Sequence, residues 1–261
     1  MIDNIIKDLE EKLDIYINKD NIKYFNDGVS GSIVFKYDKY LVKTTDIKEL
    51  DAYLEFFNLY KEDYFQKIIC YNKELLYICF NFIEGSLFKE NKLDPKDVIN
   101  QLYFITSNYK EYDYNAYGYL EEEDFTWYDF LMDEAYRKED EINIDYSKLF
   151  NAFEIIKKYD APKYLVHGDF GTHNFIVNNS KIYAIDPIPL VGDYLYDFYF
   201  AIFTDVNIFK DLDVEYILSY FDRDYDYKKA LMIICFYIRL RRASKYNPED
   251  LDIYKKYLER I

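Results

Sequence analysis

The chain has 261 residues, enough for one large domain or two modest ones. Half of its residues are hydrophobic and 21% are aromatic, which excludes an intrinsically disordered chain. Its 49 acidic residues outnumber its 33 basic ones, and the net charge of −16 argues against a nucleic-acid binder and against anionic membrane surfaces.

The first third of the chain has the pattern of a small antiparallel sheet with one helix. Leu50, Leu54 and Phe57 recur at helical spacing and predict a helix over residues 47–60. Alternating apolar residues between turn signals predict the strands. These strands cover residues 21–25, 32–37, 40–44, 64–71 and 75–82.

After Gly85 the apolar period becomes helical. A β-hairpin of residues 175–177 and 182–185, with its turn at 178–180, interrupts the helices. The helices are predicted over residues 95–108, 126–137, 146–159 and from 195 to the end. The change of period predicts an α+β chain of two lobes, residues 1–83 and 84–261.

The three cysteines, Cys70, Cys79 and Cys235, lie in apolar runs. Their odd number and wide spacing argue against a disulfide framework or a zinc site and predict buried, unreactive thiols in a reducing compartment. The longest apolar stretch, 230–238, is too short to cross a bilayer, and the N-terminus lacks an apolar signal core. We therefore expect a cytoplasmic protein, and a monomer.

Both histidines, His167 and His173, fall in one window between the predicted helices and the hairpin. One chemistry for this window is a hydrolytic metal site of His167, Asp169 and His173. A catalytic zinc usually takes about three protein ligands, mostly histidines, so this site would need carboxylates from elsewhere in the chain.

The other chemistry is phosphoryl transfer. Asn174 follows Asp169 by five residues, and Asp186 lies at the end of the second hairpin strand. Kinase catalytic loops use this spacing: one carboxylate orients the attacking hydroxyl, while an amide oxygen and a second carboxylate hold Mg²⁺ against the phosphates. Mg²⁺ keeps several waters, so two protein ligands suffice.

In this order and spacing the window resembles the aminoglycoside phosphotransferase and choline kinase family. The matching motifs are His167-Gly168-Asp169 with Asn174, Ile185-Asp186-Pro187, and Gly192-Asp193-Tyr194-Leu195-Tyr196-Asp197. The resemblance touches most of residues 22–200. It implies a two-lobed protein-kinase-like fold, with a small antiparallel β-sheet and one helix in the N-lobe and a larger, mainly helical C-lobe.

The resemblance also implies roles for the loop residues. Asp169 would be the catalytic base, and Asn174 and Asp186 would bind Mg²⁺. Asp197 would brace the catalytic loop and His167 would orient it, whereas His173 has no role in the family pattern.

For the nucleotide, ATP or GTP, the resemblance implies a site in the N-lobe. Lys43, at the end of the third strand, would contact the phosphates and pair with Glu49, although Asp51 and Glu55 remain alternatives because helix phase does not decide between them. Residues expected to cover the phosphates or to meet the adenine edge are Gly28, Ser30, Gly31, Ser32, Asn81 and Ile83.

The function implied is ATP-dependent transfer of a phosphoryl group to a hydroxyl of a small molecule, an aminoglycoside antibiotic being one candidate. A metabolic kinase for choline, an amino alcohol or a sugar is the alternative, followed by a nucleotide-binding pseudoenzyme. The acidic run 121–124 would suit a cationic acceptor, but it is also typical of a solvated helix face. Arg239, Arg241 and Arg242 would suit an anionic acceptor.

Overall fold

The computed structural model describes residues 1–25, 31–124, 126–136, 142 and 144–261. The helices of this part of the chain are α1 (Ile2–Leu13), α2 (Ile47–Leu59), α3 (Pro95–Thr106), α4 (Trp127–Tyr136), α5 (Ser147–Ile156), α6 (Tyr194–Ile202), α7 (Val206–Phe209), α8 (Val214–Leu218), α9 (Tyr225–Tyr246) and α10 (Leu251–Leu258). Its strands are β1 (Lys23–Phe25), β2 (Val34–Tyr37), β3 (Tyr40–Thr44), β4 (Ile68–Asn72), β5 (Tyr77–Asn81), β6 (Ser86–Leu87), β7 (Tyr117–Tyr119), β8 (Glu122–Asp124), β9 (Tyr164–Val166), β10 (Phe175–Asn178), β11 (Lys181–Ala184) and β12 (Leu190–Gly192).

The smaller lobe is built on a five-stranded antiparallel sheet in the order β1-β2-β3-β5-β4. Helix α2 begins where Asp46 accepts a hydrogen bond from the Glu49 amide at 2.9 Å. Its buried face packs with β5 into the main hydrophobic core, which continues through the larger lobe. The sheet therefore joins the rest of the molecule through its α2 face.

Helix α1 covers the other face of the sheet. Ile5, Ile6 and Leu9 pack there against Phe35 and Val42 in a separate apolar cluster. The sequence interpretation had no helix here, because the charged residues between these apolar positions obscured their helical spacing. Because α1 closes off this face, a site formed between the two lobes lies on the α2 side of the sheet.

The larger lobe is mainly helical, with α9 packed against α4, α5 and α6. It also contains two small sheets, in the orders β11-β10-β6 and β8-β7-β12-β9. The predicted hairpin is confirmed as β10 and β11, whose turn holds Asn179 and Ser180 at positive φ. Strands β7, β8, β9 and β12 were not predicted, since three residues are too few to display an alternating pattern.

The acidic run 121–124 is correspondingly not a helix face. Glu122–Asp124 form β8, which pairs with β7, and Glu121 lies in the turn between the two strands. Four of the five predicted strands are also shorter than expected and begin later, at Lys23, Val34, Ile68 and Tyr77.

Trp127 marks the start of α4 and lies in the centre of the larger lobe's core. Its ring stacks on Phe130 with centroids 5.2 Å apart. A Cβ atom on Gly192 would collide with this ring, so the close approach of β12 to α4 requires glycine. Throughout the described ranges, no helix has the length and apolar character needed to cross a bilayer.

Candidate active site

The loop that follows β9 carries the His-Gly-Asp motif. Gly168 adopts φ of 79°, and a Cβ atom there would collide with the carbonyl of Ile188. The Ile188 amide in turn donates to the His167 carbonyl at 2.9 Å. Glycine is therefore needed for the close contact between this loop and the segment that follows Asp186.

Asp197 fixes the loop through hydrogen bonds to its backbone. This fully buried carboxylate accepts hydrogen bonds from the backbone amides of His167 (2.8 Å) and Gly168 (3.1 Å) and from the Tyr109 hydroxyl (2.8 Å). Burial raises the pKa of Asp197 to about 7, although its three donors oppose the shift. We call Asp197, His167, Gly168 and Tyr109 the buried brace.

His167 is fully buried, with Nε2 3.0 Å from the Ile185 carbonyl. Burial lowers the pKa of His167 to about 4, so the ring is neutral at neutral pH. Its Nε2 atom is engaged by the Ile185 carbonyl. Among the residues that the structure describes, no group of three or more His, Cys, Asp or Glu side chains is arranged to hold a metal. The geometry does not support the hydrolytic metal site.

Asp169 is held by the residues that follow it. His173 Nε2 lies 2.9 Å from Asp169 Oδ2, and Asn174 Nδ2 donates at 2.9 Å both to Oδ2 and to the Asp169 carbonyl. Burial alone would raise the pKa of Asp169, but the His173 contact and the positive charge of Arg242 lower it below its ordinary value. The carboxylate is therefore ionised and oriented.

Arg242 approaches the same carboxylate from α9. Its Nη1 lies 4.0 Å from Asp169 Oδ1, while its Nη2 donates to the buried Glu134 at 2.6 Å and the guanidinium stacks over Phe200. Arg241 instead donates to the Ala135 carbonyl, and Arg239 lies buried against the Phe200 ring. The three arginines that were candidates for an anionic acceptor thus differ, and Arg242 is the one that reaches Asp169.

The hairpin brings Asn174 and Asp186 to one end. The Ile185 amide donates to the Asn174 carbonyl at 3.0 Å and closes the ladder just before Asp186. Because the Asn174 amide nitrogen is committed to Asp169, its amide oxygen is left as the acceptor. The Asp186 side chain is half-exposed, and the backbone of this residue has a positive φ of 55°.

Asp186 also contacts the smaller lobe, at the junction between the two lobes that we call the cleft. Lys43 Nζ lies 2.7 Å from Asp186 Oδ1 and 2.9 Å from Glu49 Oε1. The Tyr53 hydroxyl lies 2.6 Å from both Lys43 Nζ and Asp186 Oδ1, and 3.1 Å from Glu49 Oε1. We call Lys43, Glu49, Tyr53 and Asp186 the cleft cluster.

The cleft cluster holds one cation between two carboxylates. Burial alone would lower the pKa of Lys43, but the charges of Asp186 and Glu49 raise it above its ordinary value. Burial, followed by the same two carboxylates, raises the pKa of Tyr53 far above its ordinary value, so the hydroxyl remains a donor. The alternative partners of Lys43 lie elsewhere: Asp51 pairs with Lys73 at 2.6 Å and Glu55 accepts from Tyr112 at 3.2 Å.

The other nucleotide residues are only partly described. Gly28 and Ser30 lie outside the described residues. Gly31 has φ of 73° and is followed by the half-buried Ser32, next to the start of β2. The Asn81 amide donates to the Lys67 carbonyl at 3.0 Å and is therefore used by the sheet, whereas Ile83 lies beyond the last strand pair.

The sequence interpretation missed Tyr53 and Tyr109, and it did not predict that Arg242 contacts Asp169. Tyr53 lies one helical turn after Glu49, and that i+4 spacing is the signal that could have found it. Arg242 carries no local signal, because only the packing of α9 against α4 brings it to Asp169.

The architecture is the two-lobed protein-kinase-like fold, as the motif resemblance predicted. Aminoglycoside phosphotransferase APH(4)-Ia, solved with AMP-PNP and hygromycin B, is 17% identical with a TM-score of 0.58, covering 97% of this chain and 96% of its own. Choline kinase LicA from Streptococcus pneumoniae is 16% identical with a TM-score of 0.52, covering 99% and 98%. ADP-bound APH(2'')-Ib is 16% identical with a TM-score of 0.53, covering 95% and 90%. No protein-family model and no curated protein sequence matches the chain.

Proposed function

We propose that this protein is an ATP-dependent O-phosphotransferase that moves the γ-phosphoryl group to a hydroxyl of a small molecule. The observation that carries the proposal is the pairing of Lys43 with Glu49 and Asp186 across the cleft, beside the loop that carries Asp169. In phosphoryl transfer the protein mainly positions the reactants and neutralises charge, and these groups are suited to that work.

Each residue has a role in this proposal. Lys43 contacts the phosphates, and Glu49 holds the lysine in place. Asp169 is ionised and accepts the proton of the acceptor hydroxyl, with its oxygens oriented by His173 and Asn174. Asp197 keeps the loop backbone fixed beneath Asp169. The segment 28–32, with Gly31 and Ser32, covers the phosphates, and the chain at Asn81 and Ile83 borders the base of the nucleotide, ATP or GTP.

Asn174 and Asp186 fit a magnesium ion. Both present oxygen atoms at the same end of the hairpin: the Asn174 amide oxygen is directed away from Asp169 by its own hydrogen bonds, and the Asp186 carboxylate is half-exposed. Mg²⁺ prefers such hard oxygen ligands and would neutralise phosphate charge when bound.

For the acceptor we propose a cationic molecule, with an aminoglycoside as the first candidate. The carboxylates around the β7–β8 turn support this proposal. Burial and then the charges of Asp133 and Asp129 raise the pKa of Asp124, and burial and then the charge of Glu49 raise that of Glu121. Negative charge thus accumulates beside the cleft cluster and would attract a cation.

The test is a turnover screen of the purified protein with Mg-ATP against aminoglycosides, amino alcohols including choline, and sugars, read as ADP release and phosphorylated product. Turnover with one class identifies the acceptor. Nucleotide binding with no turnover across the panel would favour the pseudoenzyme, and absence of nucleotide binding would contradict the proposal altogether. Asp169→Asn is the control that separates this activity from a contaminating kinase.

Magnesium dependence tests the proposed ligands separately. Asn174→Ala and Asp186→Ala should each raise the Mg²⁺ concentration needed for half-maximal rate, with the larger effect for Asp186 because a charged oxygen is lost. Asp51→Ala, which removes a carboxylate from the outer side of α2, is the matched control. Unchanged Mg²⁺ titrations in both site variants would contradict the ligand assignment.

A further inference from the structure

Two of the three cysteines lie opposite each other on neighbouring strands of the smaller lobe's sheet. Cys70 on β4 and Cys79 on β5 are direct partners in the antiparallel register. Opposed residues of antiparallel strands have Cα atoms about 4.5–5.5 Å apart. That spacing lies within the range of about 4.4–6.8 Å that a disulfide can bridge.

A register shift puts both thiols on the same face. Ile68 pairs with Phe80, both on the α2 side of the sheet, and the irregularity between Ile68 and Cys70 then changes the phase of β4. Cys70 and Cys79 consequently both pack in the α1 cluster. Side chains that are opposed on one face point the same way, which is the arrangement that a disulfide requires.

The two thiols differ in access. Cys79 is fully buried, whereas Cys70 is only partly buried, contrary to the expectation of three buried thiols. A hydrogen bond from the Cys79 thiol lowers the pKa of Cys70 despite burial, and the charge of Lys12 adds to this effect. The hydrogen bond to Cys70, followed by burial, raises the pKa of Cys79. Cys70 is therefore the more reactive thiol.

We propose that Cys70 and Cys79 form a reversible thiol–disulfide site that is oxidised by hydroperoxides. The Cys70 thiolate attacks the peroxide oxygen, breaks the O–O bond and becomes a sulfenic acid, releasing hydroxide. The Cys79 sulfur then attacks the Cys70 sulfur, forming the S–S bond and releasing the oxygen as water. Two thiols and one hydrogen peroxide give one disulfide and two waters, and two equivalents of a thiol reductant reverse the change. The site is independent of the proposed phosphotransferase activity.

The test exposes the full-length protein to hydrogen peroxide, blocks remaining thiols under denaturing conditions and digests it with trypsin. Cleavage at Lys73 separates the two cysteines, so the disulfide joins peptide 68–73 to peptide 74–89. We expect that joined peptide, with Cys235 recovered as a blocked thiol, since it is fully buried. The oxidised protein should melt roughly 5 °C higher than the reduced protein, because the disulfide lowers the conformational entropy of the unfolded chain. The increase is modest because the loop that the bond closes is short.

Matched variants make the result specific. Cys235→Ser should form the joined peptide as the wild type does, whereas Cys70→Ser should not form it and should not gain the melting shift. In Cys79→Ala, which leaves Cys70 without its partner, a sulfenic-acid probe should label Cys70. Cys70 found over-oxidised or untouched in the wild type, with no joined peptide, would overturn the proposal, as would a disulfide that involves Cys235.

Discussion

The carboxylates of the cleft cluster and of the buried brace differ in burial and in the kind of partner that they bind. In the buried brace, Asp197 is fully enclosed and its partners are two backbone amides and a hydroxyl, all from its own lobe. In the cleft cluster, two carboxylates from different lobes share the single cation of Lys43, and Asp186 is half-exposed. Enclosed partners fix a conformation, whereas shared and accessible partners can be exchanged for a ligand. The brace is thus suited to holding the loop and the cluster to binding charge.

The largest expected effect is on Asp169, which directly follows the brace residues His167 and Gly168 in the chain. Asp169→Asn should reduce turnover by about 10²–10⁴, the usual contribution of a positioned base, and leave the affinity for Mg-ATP nearly unchanged. Steady-state kinetics on the acceptor found in the screen and calorimetry with a non-hydrolysable ATP analogue measure the two quantities. Asp213→Asn, at the start of α8, is the control. A rate within threefold of the wild type would remove Asp169 from the mechanism.

The buried brace should make the stability of the protein depend on pH. His167 has a folded pKa of about 4, below its ordinary value, so its contribution to stability is lost as pH falls from about 6.5 to 4. Asp197 has a folded pKa of about 7, above its ordinary value, so its contribution is lost as pH rises from about 4 to 7. The two slopes oppose each other in the wild type.

Variants separate these slopes. Relative to the wild type, Asp197→Asn should make the unfolding free energy rise more steeply between pH 4 and 6.5, because the His167 contribution of about 3 kcal/mol is then unopposed. His167→Asn should change the slope in the opposite direction. Urea denaturation across this range measures both, and slopes that change in the same direction would contradict the assigned charge states.

The cleft cluster should respond through nucleotide affinity. Lys43→Ala should weaken ATP binding by about 10–100-fold without unfolding the protein, since a charged hydrogen bond contributes about 1.5–3 kcal/mol. Because Lys43 and Glu49 act as one unit, the double variant with Glu49→Ala should bind ATP about as weakly as Lys43→Ala alone. Lys73→Ala breaks the exposed Lys73–Asp51 pair and should leave binding unchanged. Additive losses would show that Glu49 acts independently of Lys43.

The smallest effect is expected at Tyr53, whose hydroxyl contacts all three charges of the cluster. Tyr53→Phe preserves the packing of the ring and should weaken nucleotide binding by roughly threefold to fivefold, since the hydroxyl acts only through its neighbours. Tyr77→Phe removes another buried hydroxyl, bonded to Asp8 on the opposite face of the sheet, and should leave nucleotide affinity unchanged. Equal effects of the two variants would make the Tyr53 hydroxyl a structural group only.

Sequence patterns predicted those elements of the structure that are determined by residues close together in the chain. The hairpin and the spacing of Asp169, Asn174 and Asp186 follow from one continuous segment, and the motif resemblance gave the fold. The α+β fold is confirmed, whereas the division at residue 83 and the roles of the site residues remain predictions. Strand β6, just after that division, pairs with the hairpin of the larger lobe.

What the sequence did not predict depends on distant contacts. Arg242 reaches Asp169 only because α9 packs against α4, and no spacing along the chain encodes that distance. The opposition of Cys70 and Cys79 likewise depends on the pairing of β4 with β5. Strand β12 pairs with β7 and β9, which lie far from it in sequence, so the sequence of each of these three-residue strands carries little signal.

Trp127 gives the larger lobe a spectroscopic label of its own. It is the single tryptophan of the chain, and its ring lies against Phe130 and Gly192. Gly192 directly precedes Asp193, the N-cap of the helix α6 that carries Asp197. Excitation at the red edge of the absorption band avoids the 32 tyrosines, so the emission maximum reports on this lobe alone. Far-ultraviolet circular dichroism reports on both lobes. Coincident denaturation curves from the two signals would mean that the lobes unfold as one unit, and separated curves would reveal a smaller lobe that melts independently.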